Sequence, residues 1–531
     1  MAGKNGSGTK AADKDPRAAA PVEAPGVPTD TAKDEPTAIP PETPDTVDET
    51  TEAVATVLAI KDERAASAPE AVSPQIAGWV RSEKHRAGGR AARGMVPRTS
   101  HAGWAPPHDR PDPVALLQTQ DAPRVQGLVP IRWGRMSVSP FTFYRGAALL
   151  MASDLASTPN SGLTVQACGD AHLMNFGIFA SPERTLLFDV NDFDETLPGP
   201  WEWDVKRLAA SVVVAGRSAG HTKAQNREAA LAVGRSYREW MNRYAEMGDI
   251  DVYYSKVAAQ EVLELASKTR GVKAKSVEQI LAKARTHDSL QAFSKLTEMV
   301  DGMPRIIEAP PLITHLKVEH VDLDRVARKA FSDYRRTLQE DHRELIDRYQ
   351  LVDMAMKVVG VGSVGTLALI VLLLGRDDGD PLFLQLKQAG SSVLETYLGK
   401  SRYQNHAHRV VAGQRLMQAA HDVFLGWIRA TGPQHRDFYW RQLRDMKGSV
   451  TVDNARPLGL ALYASVCAWT LARAHARSGD RIAIAAYLGK SGRFDQALAD
   501  FSEAYADQVE RDFEVVTQAV KSGKVQVETG V

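Results

Sequence analysis

Between Leu163 and Asp194 the chain runs through a short apolar strand, a loop holding Asp170 and Asn175, a tight hairpin, and a second loop holding Asn191, Asp192 and Asp194. This succession constrains the fold more than any other stretch. Leu163 to Ala167 and Leu186 to Val190 read as strands. Ala180-Ser181-Pro182-Glu183-Arg184 reads as the hairpin turn between strands. Such a hairpin brings Asn175 and Asp192 together although they lie 17 residues apart. An amide and a carboxylate so placed suit a hard, oxygen-preferring cation. Phosphoryl transfer needs that pair, plus one carboxylate to orient or deprotonate the attacking hydroxyl. Asp170, five residues before Asn175, is the candidate for that role.

The flanking segments read as helices. Ser139 caps one that begins at Pro140, with Tyr144, Ala147, Met151 and Leu155 on one face. Asp204 starts another, with Leu208, Val212 and Ala215 inward and Gly216 or Gly220 near its end. Asp204 itself reads equally as an N-cap or as a brace for the acidic loop. Residues 225 to 350 are expected to be mostly helical, as are 410 to 430 and 458 to 477. The stripe Phe494, Leu498, Phe501, Tyr505 and Val509 is core packing on a last helix.

A second constellation follows. Gly360-Val361-Gly362-Ser363-Val364-Gly365 offers backbone amides to phosphate oxygens. A dinucleotide fold needs a helix after such glycines, but Thr366 to Leu374 is a β-rich apolar run. Val358 to Leu374 therefore reads as strand, glycine turn, strand. Leu382 to Lys387 reads as a third strand presenting Lys387, and Glu395 is its candidate partner. Against this, the glycines also fit a plain hairpin, and Lys387 a solvated edge lysine.

Gly169-Asp170-Ala171-His172-Leu173-Met174-Asn175 resembles the His-Gly-Asp-x-His-x-x-x-Asn motif of the aminoglycoside phosphotransferases, with Cys168 where that family has histidine. Asp192-Phe193-Asp194 resembles the same family's magnesium loop, and Asp204 its bracing aspartate. The resemblance implies Asp170 as the catalytic carboxylate, Asn175 and Asp192 as magnesium ligands, and Asp194 as a second metal or brace residue. It implies ATP and magnesium as cofactors, with Gly360, Gly362, Ser363, Gly365, Lys387 and Glu395 on the nucleotide side. His172 would hydrogen-bond the loop or the metal-binding aspartate. In kinases, however, the glycine loop and lysine precede the catalytic loop. Either the fold is circularly permuted or one constellation is a coincidence.

From about Arg98 to Ala519 the chain is also similar to a bacterial family known only as domain of unknown function 2252. Ile131-Arg132-Trp133-Gly134-Arg135-Met136, Tyr144-Arg145-Gly146, Pro198-Gly199-Pro200-Trp201-Glu202-Trp203-Asp204, Arg441-Gln442-Leu443-Arg444-Asp445-Met446-Lys447 and Ala472-Arg473-Ala474-His475-Ala476-Arg477 carry that likeness. Arg132, Arg135 and Arg145 would bind a phosphorylated or acidic substrate, or serve structural salt bridges.

The expectation is an α+β, kinase-like two-lobe fold with a mostly helical large lobe and a small antiparallel-sheet lobe. Residues 1–75, rich in Ala, Pro and acids, form a disordered tail. Residues 76–330 carry the catalytic and metal loops, 331–450 the small lobe, and 451–531 helices that pack on the large lobe. With 65 basic and 65 acidic residues there is no electrostatic footprint for nucleic acid or an anionic membrane. Two cysteines exclude a disulfide scaffold and fit the cytoplasm. The expected partners are a nucleotide and an unidentified acceptor hydroxyl. A nucleotide-binding pseudo-enzyme that regulates a partner and a metal-dependent hydrolase are the alternatives.

Overall fold

The computed structural model describes residues 82–530 apart from 270, 316–322, 431–435, 444, 451 and 454. The expected tail, residues 1–75, lies outside the described residues.

After the helices Ser82–Met95 and Pro113–Gln118 come α1 (Val129–Met136), α2 (Pro140–Gly146) and α3 (Ala148–Ala156). Ser139 caps α2: its Oγ accepts from Thr142 N at 3.1 Å, while Thr142 Oγ1 accepts from Ser139 N at 2.9 Å. The expected single helix is two helices, broken at Ala147 (φ −110°, ψ 35°). Tyr144, Ala147, Met151 and Leu155 are all buried, so the apolar face continues across the break.

β1 (Thr164–Ala167) pairs with β4 (Leu197–Pro200), and the hairpin β2 (Phe176–Ala180) with β3 (Leu186–Val190) lies between them in sequence. α4 (Trp201–Ser218) starts three residues before Asp204, with Pro200 at its N-cap. Asp204 is therefore inside the first turn, and the N-cap reading is set aside. α5 (Lys223–Glu246) follows α4 and packs against it.

Residues 225 to 350 are mostly helical, as expected, but not wholly so. They hold the hairpin β5 (Thr297–Val300) and β6 (Met303–Ile306), then β7 (Ile313–Thr314). Asp301 and Gly302 both have positive φ (52° and 78°), the backbone an Asp-Gly two-residue hairpin demands.

One six-stranded antiparallel sheet follows. Its strands β8 (Gln350–Lys357), β9 (Ala368–Leu374), β10 (Pro381–Ala389), β11 (Gly426–Arg429) and β12 (Asp437–Gln442) lie, with β7, in the order β11-β12-β10-β9-β8-β7. The strand before the glycines is β8, earlier than the run from Val358 implied. Gln350 and Asp353 interrupt its apolar pattern, while Val358 and Val359 belong to the loop. The expected helix 410–430 is α6 (His406–Met417), capped by Asn405 Oδ1 on His408 N (2.8 Å), followed by β11. The helix ends at Met417, where Gln418 turns extended (φ −71°, ψ 146°); Asp422 then accepts from Phe424 N at 2.8 Å, and β11 pairs with β12.

Both faces of the sheet are buried. Leu369, Val371, Leu384, Leu386 and Trp440 share a core with Tyr334 of the helix Leu323–Arg335, and also with Leu128 and Ile131. Ile370, Leu372 and Phe383 face Ala292, Leu296 and Ile306. Alternation with two covered faces explains the unbroken apolar run in β9. Among the described residues no helix is long and apolar enough to cross a membrane. A larger core joins α2 to α5, β1 to β3, α7 (Pro457–Ser478) and α8 (Arg493–Lys521).

Candidate active site

The first acidic loop is held from beneath by α4. Asp204 Oδ2 accepts from Cys168 N (2.6 Å), and Oδ1 accepts from Gly169 N (2.9 Å). His475 of α7 approaches Asp204 Oδ2 with Nε2 at 3.1 Å, and Tyr237 OH lies 2.8 Å from His475 Nδ1. Gly169 has φ 82°, and a Cβ there would sit 2.3 Å from the Glu195 carbonyl oxygen. Glycine thus lets the two acidic loops touch.

Three residues beyond Asp204, Arg207 points the same way and grips Asp170 Oδ1 through Nε (2.8 Å) and Nη2 (2.7 Å). Burial raises the Asp170 pKa above the ordinary carboxylate range despite Arg207. Asn175 donates its Nδ2 to Asp170 O at 2.7 Å, which leaves Oδ1 for another partner. His172 accepts from Met174 N at Nδ1 (3.2 Å). Burial pushes its pKa well down, so it is neutral, with Nε2 3.7 Å from Asp170 Oδ2. Asn191 N donates to Asn175 O at 3.0 Å, the close approach expected of the hairpin.

On the second loop, Asp192 Oδ1 accepts from Asp194 N at 3.2 Å. Burial and the neighbouring Asp194 hold the Asp192 pKa up. Lys387 of β10 donates to Asp194 Oδ2 and lies 3.8 Å from Asp192 Oδ2. Tyr439 of β12, directly opposite Lys387 in the sheet, donates to Asp194 Oδ1 at 2.8 Å. Burial opposes the charge on Asp194, but Lys387 and Tyr439 outweigh it, and its pKa falls below the ordinary value. Burial likewise opposes the Lys387 charge, but the two aspartates hold its pKa above that of an ordinary lysine.

The glycine loop closes over the same place. Gly360, Gly362 and Ser363 line a cavity of about 540 Å³ together with Asp170, His172, Asn175, Asp192 and Asp194. Gly360 takes φ 74°, and Ser363 Oγ donates to Val359 O at 3.1 Å. Two constellations some 190 residues apart in sequence therefore share one cleft.

Residues 124–519 match the family described as an uncharacterized protein conserved in bacteria, DUF2252. The chain belongs to the DUF2252 family. No curated protein and no solved structure matches it.

The DUF2252 match covers both loops, the glycine loop and Lys387. Three expected cofactor residues, Gly365, Lys387 and Glu395, lie outside the cavity lining, and of these Lys387 still reaches it through Asp194. Gly365 (φ 86°) is outside the cavity lining, and its carbonyl accepts from Val125 N at 2.8 Å. Glu395 does not partner Lys387, whose carboxylates come from the acidic loop. β10 ends at Ala389, and the following turn leaves Glu395 accepting from Ser392 N (3.2 Å), 3.8 Å from Arg409 Nε.

The three arginines before the loop separate. Arg132 is buried and donates to Asp121 at 2.8 Å, Arg135 donates to Gly360 O at 2.6 Å, and Arg145 lines the cleft. Arg441 donates to Gln385 Oε1 (3.0 Å) and Asn191 O (3.2 Å). Sequence reading missed Arg207, Tyr439, Arg124, Glu195 and Arg409. The spacing of three from Asp204 to Arg207 was the one local signal. Arg409, buried in α6, donates to Asp194 O and Thr196 O at 2.7 Å each, and nothing in its neighbourhood announces that.

Proposed function

We propose that this cleft is an ATP- and magnesium-dependent phosphotransferase site acting on a small-molecule or protein hydroxyl. The fold it belongs to is then a kinase-like pair of lobes, circularly permuted so that the sheet lobe follows the catalytic loop. The Lys387–Asp194 ion pair carries this reading, because it ties β10, the second strand after the glycine loop, to the acidic loop after the hairpin. A coincidental hairpin and edge lysine would have no reason to meet it.

The chain's own residues suit the parts that phosphoryl transfer requires. Asp170, oriented by Arg207, receives the proton of the acceptor hydroxyl. Asp192 and the Oδ1 of Asn175 supply hard oxygens, and magnesium asks for only one or two carboxylates alongside phosphate oxygens. When bound, magnesium neutralises phosphate charge. Asp194 serves as the anchor of Lys387 rather than as an open ligand, since both its oxygens are engaged. The Gly360 loop offers backbone amides to phosphate. Cys168 and Cys467, buried free thiols, suit a cytoplasmic enzyme with ATP at hand.

The pseudo-enzyme reading has one observation in its favour: Arg207 holds Asp170 Oδ1 at full hydrogen-bond distance. Incubation with γ-labelled ATP, magnesium and a panel of hydroxyl compounds separates the two. Label transfer abolished by Asp170→Asn is the expected result. Mg-ATP binding without any transfer favours the pseudo-enzyme.

A further inference from the structure

We infer that Arg124 and Arg145 form an anion subsite for the acceptor, so that the hydroxyl substrate carries a phosphate or carboxylate of its own. This rests on the phosphotransferase reading.

The assignment follows from what the cleft arginines lack. Arg132 and Arg135 are committed, to Asp121 and to the Gly360 carbonyl. Arg145 makes no hydrogen bond or ion pair to a described residue, and its Nε is buried without a partner. A buried donor left unpaired costs free energy that a ligand oxygen would recover. Its charged neighbours are Asp170 and Asp453, both acting at a distance.

Arg124 lines the same cavity. Its Nε donates to Gln120 O at 3.0 Å and its Nη1 to Val364 O, which fixes the guanidinium and leaves Nη2 uncommitted to either carbonyl. Burial disfavours the charge of both arginines, the cost an incoming anion offsets. Asp170 and Asp194 each have a closer cation of their own. Arg207 serves Asp170 and Lys387 serves Asp194. The fork of Arg145, near Asp170, and the uncommitted Nη2 of Arg124 suit capture of a phosphate or carboxylate.

The test is calorimetric titration of the full chain with inorganic phosphate, glycerol 3-phosphate and glycerol, with and without saturating Mg-ADP. Wild type, Arg145→Gln and Arg145→Lys are compared, each checked for folding by its thermal melt. The expected result is binding of phosphate and glycerol 3-phosphate, not glycerol, that persists with Mg-ADP present. Arg145→Gln weakens it by about tenfold or more, and Arg145→Lys by less because charge remains without the fork. Absence of phosphate binding beside bound Mg-ADP overturns the proposal alone. So does loss of phosphate binding when Mg-ADP is added, which assigns the arginines to the nucleotide's own phosphates. Unchanged binding in Arg145→Gln also overturns it. If Mg-ADP itself does not bind, the phosphotransferase reading fails and takes the acceptor assignment with it.

Discussion

Lys387 donates to Asp194 across 193 residues of sequence, and the contact joins the central sheet to the acidic loops. The cross-strand pair Lys387 and Tyr439 takes one Asp194 oxygen each. The pair is thus both a structural seam and the geometric link between glycine loop and metal-type carboxylate.

Removing one member leaves the other charge without its partner. Lys387→Ala is expected to lower unfolding free energy by up to about 3 kcal/mol, the low end for buried pairs because Asp194 is partly exposed. Urea denaturation checks this. The pKa of Asp194 is depressed, so its share of the stability is present above the ordinary aspartate value and is lost only as pH falls through the lower folded value. The wild-type minus variant difference should therefore hold through neutral pH and shrink in strong acid.

Asp204 satisfies two backbone amides and faces His475, all buried. Asp204→Ala strands those groups, at about 1–3 kcal/mol each. Asp204→Asn retains one acceptor and should cost less. Chemical denaturation of both variants ranks them, and equal stability of Asp204→Ala and wild type would contradict the brace.

Arg207 is the strongest influence holding the Asp170 pKa down against burial. Arg207→Met should therefore move the Asp170 titration to higher pH, and with it the acid limb of any pH–rate profile. Carboxyl NMR of Asp170 reads the shift directly, and a shift to lower pH would contradict the geometry.

Glu195 is half-buried in the cleft lining, and desolvation pushes its pKa up to about 7 from its ordinary 4.5. The folded state then binds more protons than the unfolded one between those values, so stability falls as pH rises from 4.5 towards 7. Glu195→Gln should flatten that segment of the stability–pH curve. Thermal melts between pH 4.5 and 8 test it.

The sequence carried the loops well and the sheet less well. β1, β3 and α7 fall close to their expected bounds because apolar runs and turn residues agree there. β8 and β11 escaped because Asp353 interrupts one and the other continues a helix-like stretch after Met417. Asp170, Asn175, Asp192, Gly360, Gly362 and Ser363 meet in one cavity as local motifs implied. Glu395 does not join Lys387, since a lysine partner is chosen by tertiary placement and spacing along the strand says little about it. Arg409 and Tyr439 reach the acidic loop from more than 200 residues away, beyond any local pattern.

The proposed nucleotide site draws on both constellations at once. Calorimetric titration of ATP, with and without magnesium, into wild type, Asp192→Asn and Lys387→Ala tests it most directly. Saturable, magnesium-dependent binding is expected, weakened by about tenfold or more in each folded variant by loss of a charge-assisted contact. Absence of ATP binding to wild type, or binding indifferent to Lys387, would contradict it.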